Sequence, residues 1–310
     1  MNKQQISKQV NKEILLPSRN KFLKYQSILE KDVKKIYQNT NNKISSRILR
    51  ATQDIKTAFS AMDGIKSLMN VNTKTVYGKI QKFKDDVIRD GIKTGYEINK
   101  YLVKATTPLK EAIPLFAIRG DYKNFDIVFN QLFKEASIAL QYTVDGVELS
   151  NKIWDLNNIS LQWMRDYMSN SMVQGKSQAE IYSFFKNFLV LPDVDMRKNV
   201  WKEFFIQYPP GRGIYKSAWA NIMRVLRTES NRAYRQGLAI YAKDKEWVQG
   251  LKWNRVAGAE PCEICDGLAD DDNFGLGPGI YPSDNAPDSG HPHCLCYYTF
   301  EIDLSNYGIE

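Results

Sequence analysis

Glu260-Pro261-Cys262-Glu263-Ile264-Cys265 and, after a loop, Gly290-His291-Pro292-His293-Cys294-Leu295-Cys296 hold every cysteine and every histidine of this 310-residue chain. A cysteine pair two residues apart, answered across a loop by a His/Cys cluster, has the spacing of a tetrahedral zinc site. Cys262 and Cys265 form a knuckle whose two sulfurs point the same way. In the second cluster His291 stands three residues before Cys294. The side chains of Cys294 and Cys296 fall on one side of an extended backbone. The expected ligand set is Cys262, Cys265 and His291 with either Cys294 or Cys296. An all-cysteine set is the close alternative, and His293 is the least suited of the six. A closed four-ligand zinc site is structural, because it keeps no coordination position for water. The competing reading, two disulfides, requires an oxidising compartment that nothing in the sequence marks.

Pro261-Cys262-Glu263-Ile264-Cys265 also matches half of the zinc-deaminase signature. The other half needs an upstream His or Cys ligand two residues before a catalytic Glu. No histidine precedes His291 and no cysteine precedes Cys262, so the catalytic half is missing. A Ser/His/Asp triad is excluded on the same ground, since both histidines lie inside the metal cluster. Gly275-Leu276-Gly277-Pro278-Gly279 lacks the Lys-Ser/Thr and the helix of a phosphate loop. The chain is therefore not expected to be an enzyme.

Outward from the cluster, Leu251-Lys252-Trp253-Asn254-Arg255-Val256 alternates like a strand. Tyr297-Tyr298-Thr299-Phe300-Glu301-Ile302 reads as its partner, which gives a two-stranded module. Residues 257–289 are rich in Gly, Pro, Asp and Asn and show no helical period. A segment so poor in apolar residues gains most from a metal staple. Upstream, Ile214–Trp247 reads as one long helix with a possible break at Gly237. Arg224, Arg227 or Thr228, Asn231 and Arg235 recur along it at three- and four-residue steps, and Glu229 and Arg232 are spaced to pair across a turn. This stripe is either a solvated face or a face that docks an acidic partner, the Arg/Lys-free C-terminal segment included.

The fold expected is mainly α. A basic helical region over 1–150 and a helical group over 151–210 precede a long helix and a small zinc-stapled α+β module over 211–310. Pro17-Ser18 signals a helix start, and apolar residues then outline stretches around 22–37, 44–59 and 76–102, with Gly78, Gly91 and Gly95 lowering local propensity. Pro108 and Pro114 punctuate the run, and a helix is expected over 122–142. A helix over 159–174 stops at Gly175, and Ser177 with Glu180 forms a capping box for a helix over 178–189. Asp193 or Asp195 starts the next helix, and Pro209-Pro210-Gly211-Arg212-Gly213 breaks the chain after it.

The net charge of +8 hides a gradient. Residues 1–110 carry an excess near +14. No Lys or Arg follows Arg255, whereas Asp and Glu recur from Glu260 to Glu310. One end attracts polyanions and the other repels them. Met1-Asn2-Lys3-Gln4-Gln5 leads into no apolar run of signal-peptide type, and no stretch approaches the ~20 apolar residues of a membrane span. A soluble protein made in a reducing cytosol is the expectation.

Taken in order, residues from about 159 to 300 resemble the phage Mu F-like head morphogenesis family, the minor head proteins of tailed phages. The resemblance rests on several features in order. A helix ends in Gly175-Lys176-Ser177, and then comes Arg227-Thr228-Glu229-Ser230-Asn231-Arg232-Ala233. Gly250-Leu251-Lys252-Trp253, the Cys262/Cys265 pair and Gly279-Ile280-Tyr281-Pro282 follow, ending in His291-Pro292-His293-Cys294-Leu295-Cys296. The family has an Arg where Leu295 stands, which puts a role for that side chain in doubt but leaves the ligands. The resemblance implies a virion component at the portal vertex, made in a bacterial host. Its partners would be the portal protein, other head proteins and packaged DNA. It would serve head assembly or DNA delivery without enzymatic activity or membrane contact. The alternative expectation is a zinc-containing nucleic-acid-binding protein with a basic helical arm.

Overall fold

A computed structural model describes residues 2–51, 55–105, 122–143, 146–192, 195–197, 199–207, 209–210, 214–243, 245–256 and 262–309. The chain is mainly α-helical, with a small antiparallel sheet near its C-terminus. The helices are α1 (Lys3–Val10), α2 (Leu16–Ala51), α3 (Ile55–Ala105), α4 (Tyr122–Ala139), α5 (Leu149–Val173), α6 (Gln178–Phe185), α7 (Asn199–Gln207), α8 (Ala218–Ala242) and α9 (Glu263–Asp270). The strands are β1 (Val248–Asn254), β2 (Ile280–Tyr281) and β3 (Tyr297–Ile302). The punctuation expected at Pro108, Pro114, Asp193 and 211–213 lies outside the described residues.

Helical structure begins before Pro17. Asn2 caps α1 in a reciprocal box with Gln5. A π turn over Asn11–Leu15 then carries the chain into α2, with the Leu16 N–H reaching back to the Asn11 carbonyl. Proline lacks an N–H and crowds the carbonyl four residues earlier, and a widened turn just ahead of it accommodates both effects. The expected stretches around 22–37 and 44–59 are not separate helices: α2 runs unbroken through the first and to Ala51 of the second, the part from Ile55 on belongs to α3, and Gly78, Gly91 and Gly95 interrupt nothing in α3.

The chain forms two compact units, each assembled from separated segments. One comprises Ser27–Gln81 and Asp145–Leu226. Its centre is aromatic: Tyr167 stacks on Phe184, Phe184 on Trp201, and Trp163 meets Phe205 edge-on. The capping box of Ser177 and Glu180 starts α6 as its spacing predicts, and Gly175 takes a left-handed φ of 65° after α5. Helix α6 ends at Phe185, short of the expected 189. Buried Asn41 of α2 takes over the backbone there, donating to the Lys186 carbonyl and accepting from the Leu189 N–H at 3.0 Å.

The other unit comprises Met1–Gln26, Lys82–Val144 and Arg227–Glu310. Its core joins Ile6, Val10 and Phe22 with Val87, Ile88 and Ile92 of α3, Tyr234 and Leu238 of α8, and the inward face of the sheet. Helices α3 and α8 cross where glycine meets glycine. A Cβ on Gly237 would stand 2.7 Å from the Ile88 carbonyl oxygen, and one on Gly91 would stand 3.0 Å from the Gly237 Cα. Gly237 therefore lets two backbones approach, and α8 runs through it unbroken.

The sheet has the order β2-β1-β3, so the module is three-stranded and not two-stranded. The pairing of β1 with β3 is as the alternation predicts, with Leu251 opposite Phe300 and Trp253 opposite Tyr298. Strand β2 is only two residues long, too short for any periodicity to show, and it pairs Tyr281 with Leu251. Helix α9 is likewise unannounced in a segment read as lacking helix. Glu263 and Asp266 in its first turn complement the helix dipole.

A candidate metal centre

The Cys-x-x-Cys pair is positioned by α9. Cys262 is the N-cap residue in an extended conformation, and Cys265 sits one turn in, so the two thiols share a side. Five side chains converge in two overlapping groups. The ligand atoms of Cys262, Cys265 and His291 lie within 4.8 Å of one another, as do those of Cys265, Cys294 and Cys296. Cys265 belongs to both. Such a cluster can hold a metal ion. Cys265, Cys294 and Cys296 are buried, while Cys262 and His291 are half-buried. The Cys265 and Cys294 sulfurs are 3.7 Å apart, far from the ~2.05 Å of a disulfide, and all four cysteines are free thiols.

The His291 Nδ1 lies 2.7 Å from the Pro292 carbonyl oxygen. With its proton on Nδ1 the ring donates to that carbonyl and leaves Nε2 to face a metal, the usual way a ligand imidazole is held. His293 stands outside both groups. It adopts a left-handed φ of 64°, and its N–H donates to the Thr228 hydroxyl at 3.0 Å. This kink turns the chain between His291 and Cys294 so that both sides of the loop can reach the cluster.

Three buried thiols this close cannot all ionise without a cation among them. A hydrogen bond from the Cys296 thiol, reinforced by the Arg235 guanidinium, holds Cys294 down to about 4 against the effect of burial. The same contact pushes Cys296 up strongly. Burial and the neighbouring Cys294 charge push Cys265 up to about 12. The donor set suits an ion that displaces protons from the thiols on binding.

The expected interaction helix divides. Arg224 lies in the other unit, its guanidinium over the Tyr215 ring at 5.4 Å. Arg227 is half-buried, and its carbonyl oxygen accepts from the Asn231 side chain at 2.8 Å. Glu229, Arg232 and Arg235 are buried, which excludes a solvated face there. Arg232 pairs with Glu229 at 2.8 Å, as their spacing predicts, and with Asp288 at 2.5 Å, and donates to the Tyr142 carbonyl at 3.0 Å. Burial opposes its charge, but the hydrogen bonds to Asp288 and the attraction of Glu229 raise its pKa. Arg235 donates from Nε to the Asp288 carbonyl at 2.8 Å and from Nη1 to the Cys296 carbonyl at 2.7 Å. It also lies over the Trp253 ring at 5.2 Å.

A further clamp, with no counterpart in the sequence motifs, grips the cysteine-bearing segment itself. Arg19 of α2 donates to the Leu295 carbonyl at 2.7 Å and stacks over Tyr297 at 4.0 Å. Leu295 itself is exposed. An isolated arginine in a basic helix carries no signal that could have singled it out. Comparison with models of protein families, with curated proteins and with solved structures gives no match.

Proposed function

We propose that this chain is a structural minor head protein of a tailed phage, associated with the portal vertex, and that its cysteine cluster is a structural zinc centre. Zinc fits the donor set on two counts. Thiolates and imidazole are its preferred ligands, and an ideal tetrahedron with Zn–S near 2.3 Å has sulfurs about 3.8 Å apart, close to the 3.7 Å between Cys265 and Cys294. Cys265 and three of Cys262, His291, Cys294 and Cys296 would hold the ion. Bound zinc would supply a cross-link between the start of α9 and the segment entering β3.

The observation that carries this reading is the embedding of the cluster. Its thiols belong to the same hydrophobic core as the sheet and α8, which suits a fastening better than a reaction centre. The ordered motifs from Gly175 to Cys296 supply the phage assignment. Locating the chain in images of the assembled particle tests it. Density for the protein at the portal vertex is expected, and its absence from the particle would overturn the assignment.

A second reading, a zinc-containing nucleic-acid-binding protein, is favoured by the basic lining of one cavity. An open cavity of about 370 Å³ is lined by Lys43, Arg47 and Arg50 with Asn42, Ser46 and Leu68. If these cations grip phosphates, affinity for duplex DNA falls steeply as salt rises. No measurable DNA binding at low salt removes this reading.

A further inference from the structure

Arg235 is only 1 % exposed. Among the described residues it forms no ion pair with a carboxylate, and its Nη2 has no hydrogen-bond partner. A buried guanidinium cannot shed its charge and requires a negative counterpart. Its hydrogen bonds to oxygen go to two carbonyls, those of Asp288 and Cys296, and its guanidinium lies over the Trp253 ring at 5.2 Å. These contacts orient the cation without neutralising it. Its Nη1 is 3.9 Å from the Cys294 sulfur. The only concentration of ionisable sulfur in the chain lies there.

We infer that Arg235 is the fixed counter-charge of the metal centre, and that the centre is therefore anionic, with three or four thiolates on a divalent ion. This rests on the metal reading of the cluster given above. Two thiolates on a divalent cation leave no net charge, so Arg235 would then face only the second carboxylate held by Arg232, with which it forms no ion pair among the described residues. Three leave one negative charge and four leave two. Arg235 is thus a positioning residue. It holds the Cys294–Cys296 backbone by its carbonyl contact and lowers the cost of gathering thiolates in a dry core. Partners of this kind outside the ligand set commonly change metal affinity by about 10–100-fold.

The experiment uses the full chain loaded with Zn²⁺, and separately with Co²⁺ as a spectroscopic probe, in wild type, Arg235→Met and Arg235→Lys. Chelator competition should show zinc held about 10–100-fold more weakly in Arg235→Met, with partial recovery in Arg235→Lys. The sulfur-to-cobalt charge-transfer band of the wild type should correspond to three or four thiolates. Thermal unfolding separates electrostatics from packing. Loss of the counter-charge destabilises the metal-loaded form more than the metal-free form, whereas a purely structural side chain destabilises both equally. Zinc affinity unchanged in Arg235→Met, or equal destabilisation with and without metal, overturns the inference. So does a cobalt spectrum of two thiolates. Failure of the wild type to bind either ion overturns the metal reading as well, which distinguishes the two failures.

Discussion

Arg232 ties the basic stripe of α8 to the Arg/Lys-free C-terminal segment, one of the two associations that the charge pattern offers. Its pairing with Glu229 is legible from a three-residue spacing on a helix. Its pairing with Asp288 is not, because tertiary contact sets it and one Asp in a segment of many looks like any other. Replacing Arg232 with Met removes the nearest cation of a carboxylate that is 4 % exposed, at a cost of about 3 kcal/mol. Urea denaturation measures it, with a lower midpoint and an unchanged slope as the expected result. Among the ligands the two overlapping groups make a sharper distinction than spacing does. Cys265→Ser strikes both groups and should abolish stoichiometric metal, while Cys262→Ser strikes one and should retain a weakened site. Metal analysis of the two purified variants checks this.

At the scale of elements, glycine has opposite meanings at two positions that sequence cannot tell apart. Gly78 is exposed in α3 with nothing near its would-be Cβ, so Gly78→Ala should stabilise by about 1 kcal/mol through helix propensity. Gly237 sits against the backbone of α3 at its crossing with α8, and Gly237→Ala should destabilise by about 1–3 kcal/mol through overpacking. Paired thermal melts decide both signs. The elements that sequence made legible are those with a local cause. The capping box at Ser177, the left-handed Gly175 and the alternation of β1 and β3 each leave a pattern within a few residues. The elements it concealed have none. Helix α9 is two turns long, β2 is two residues, and the early end of α6 depends on Asn41 far upstream.

For the whole molecule, the shared core changes what metal removal should do. The cysteine-bearing segment does not stand apart, because its thiols, Tyr298 and Phe300 pack in one cluster with residues of α1, α2, α3 and α8. Extracting the metal with a strong chelator should therefore lower the unfolding midpoint of the entire Met1–Gln26, Lys82–Val144 and Arg227–Glu310 unit, beyond residues 262–296 alone. Hydrogen exchange on metal-loaded and stripped protein reads this directly, with protection lost in α3 and α8 as well as in the sheet. The ligand cluster and the helical class were legible because composition and spacing encode them. The joining of sequence-distant segments into one core was not, since long-range packing leaves no local signature.

The segmental make-up of that unit also sets a timetable. Residues 1–26 leave the ribosome well before residues 227–310, yet the core they enter is completed only by that later segment. Contacts spanning more than two hundred positions are slow to form, because the intervening loop must close before any of them is rewarded. During synthesis the apolar residues Ile6, Val10 and Phe22 must wait for the partners that bury them. The metal-ligating segment follows the other segments of the unit, and its arrival closes the unit.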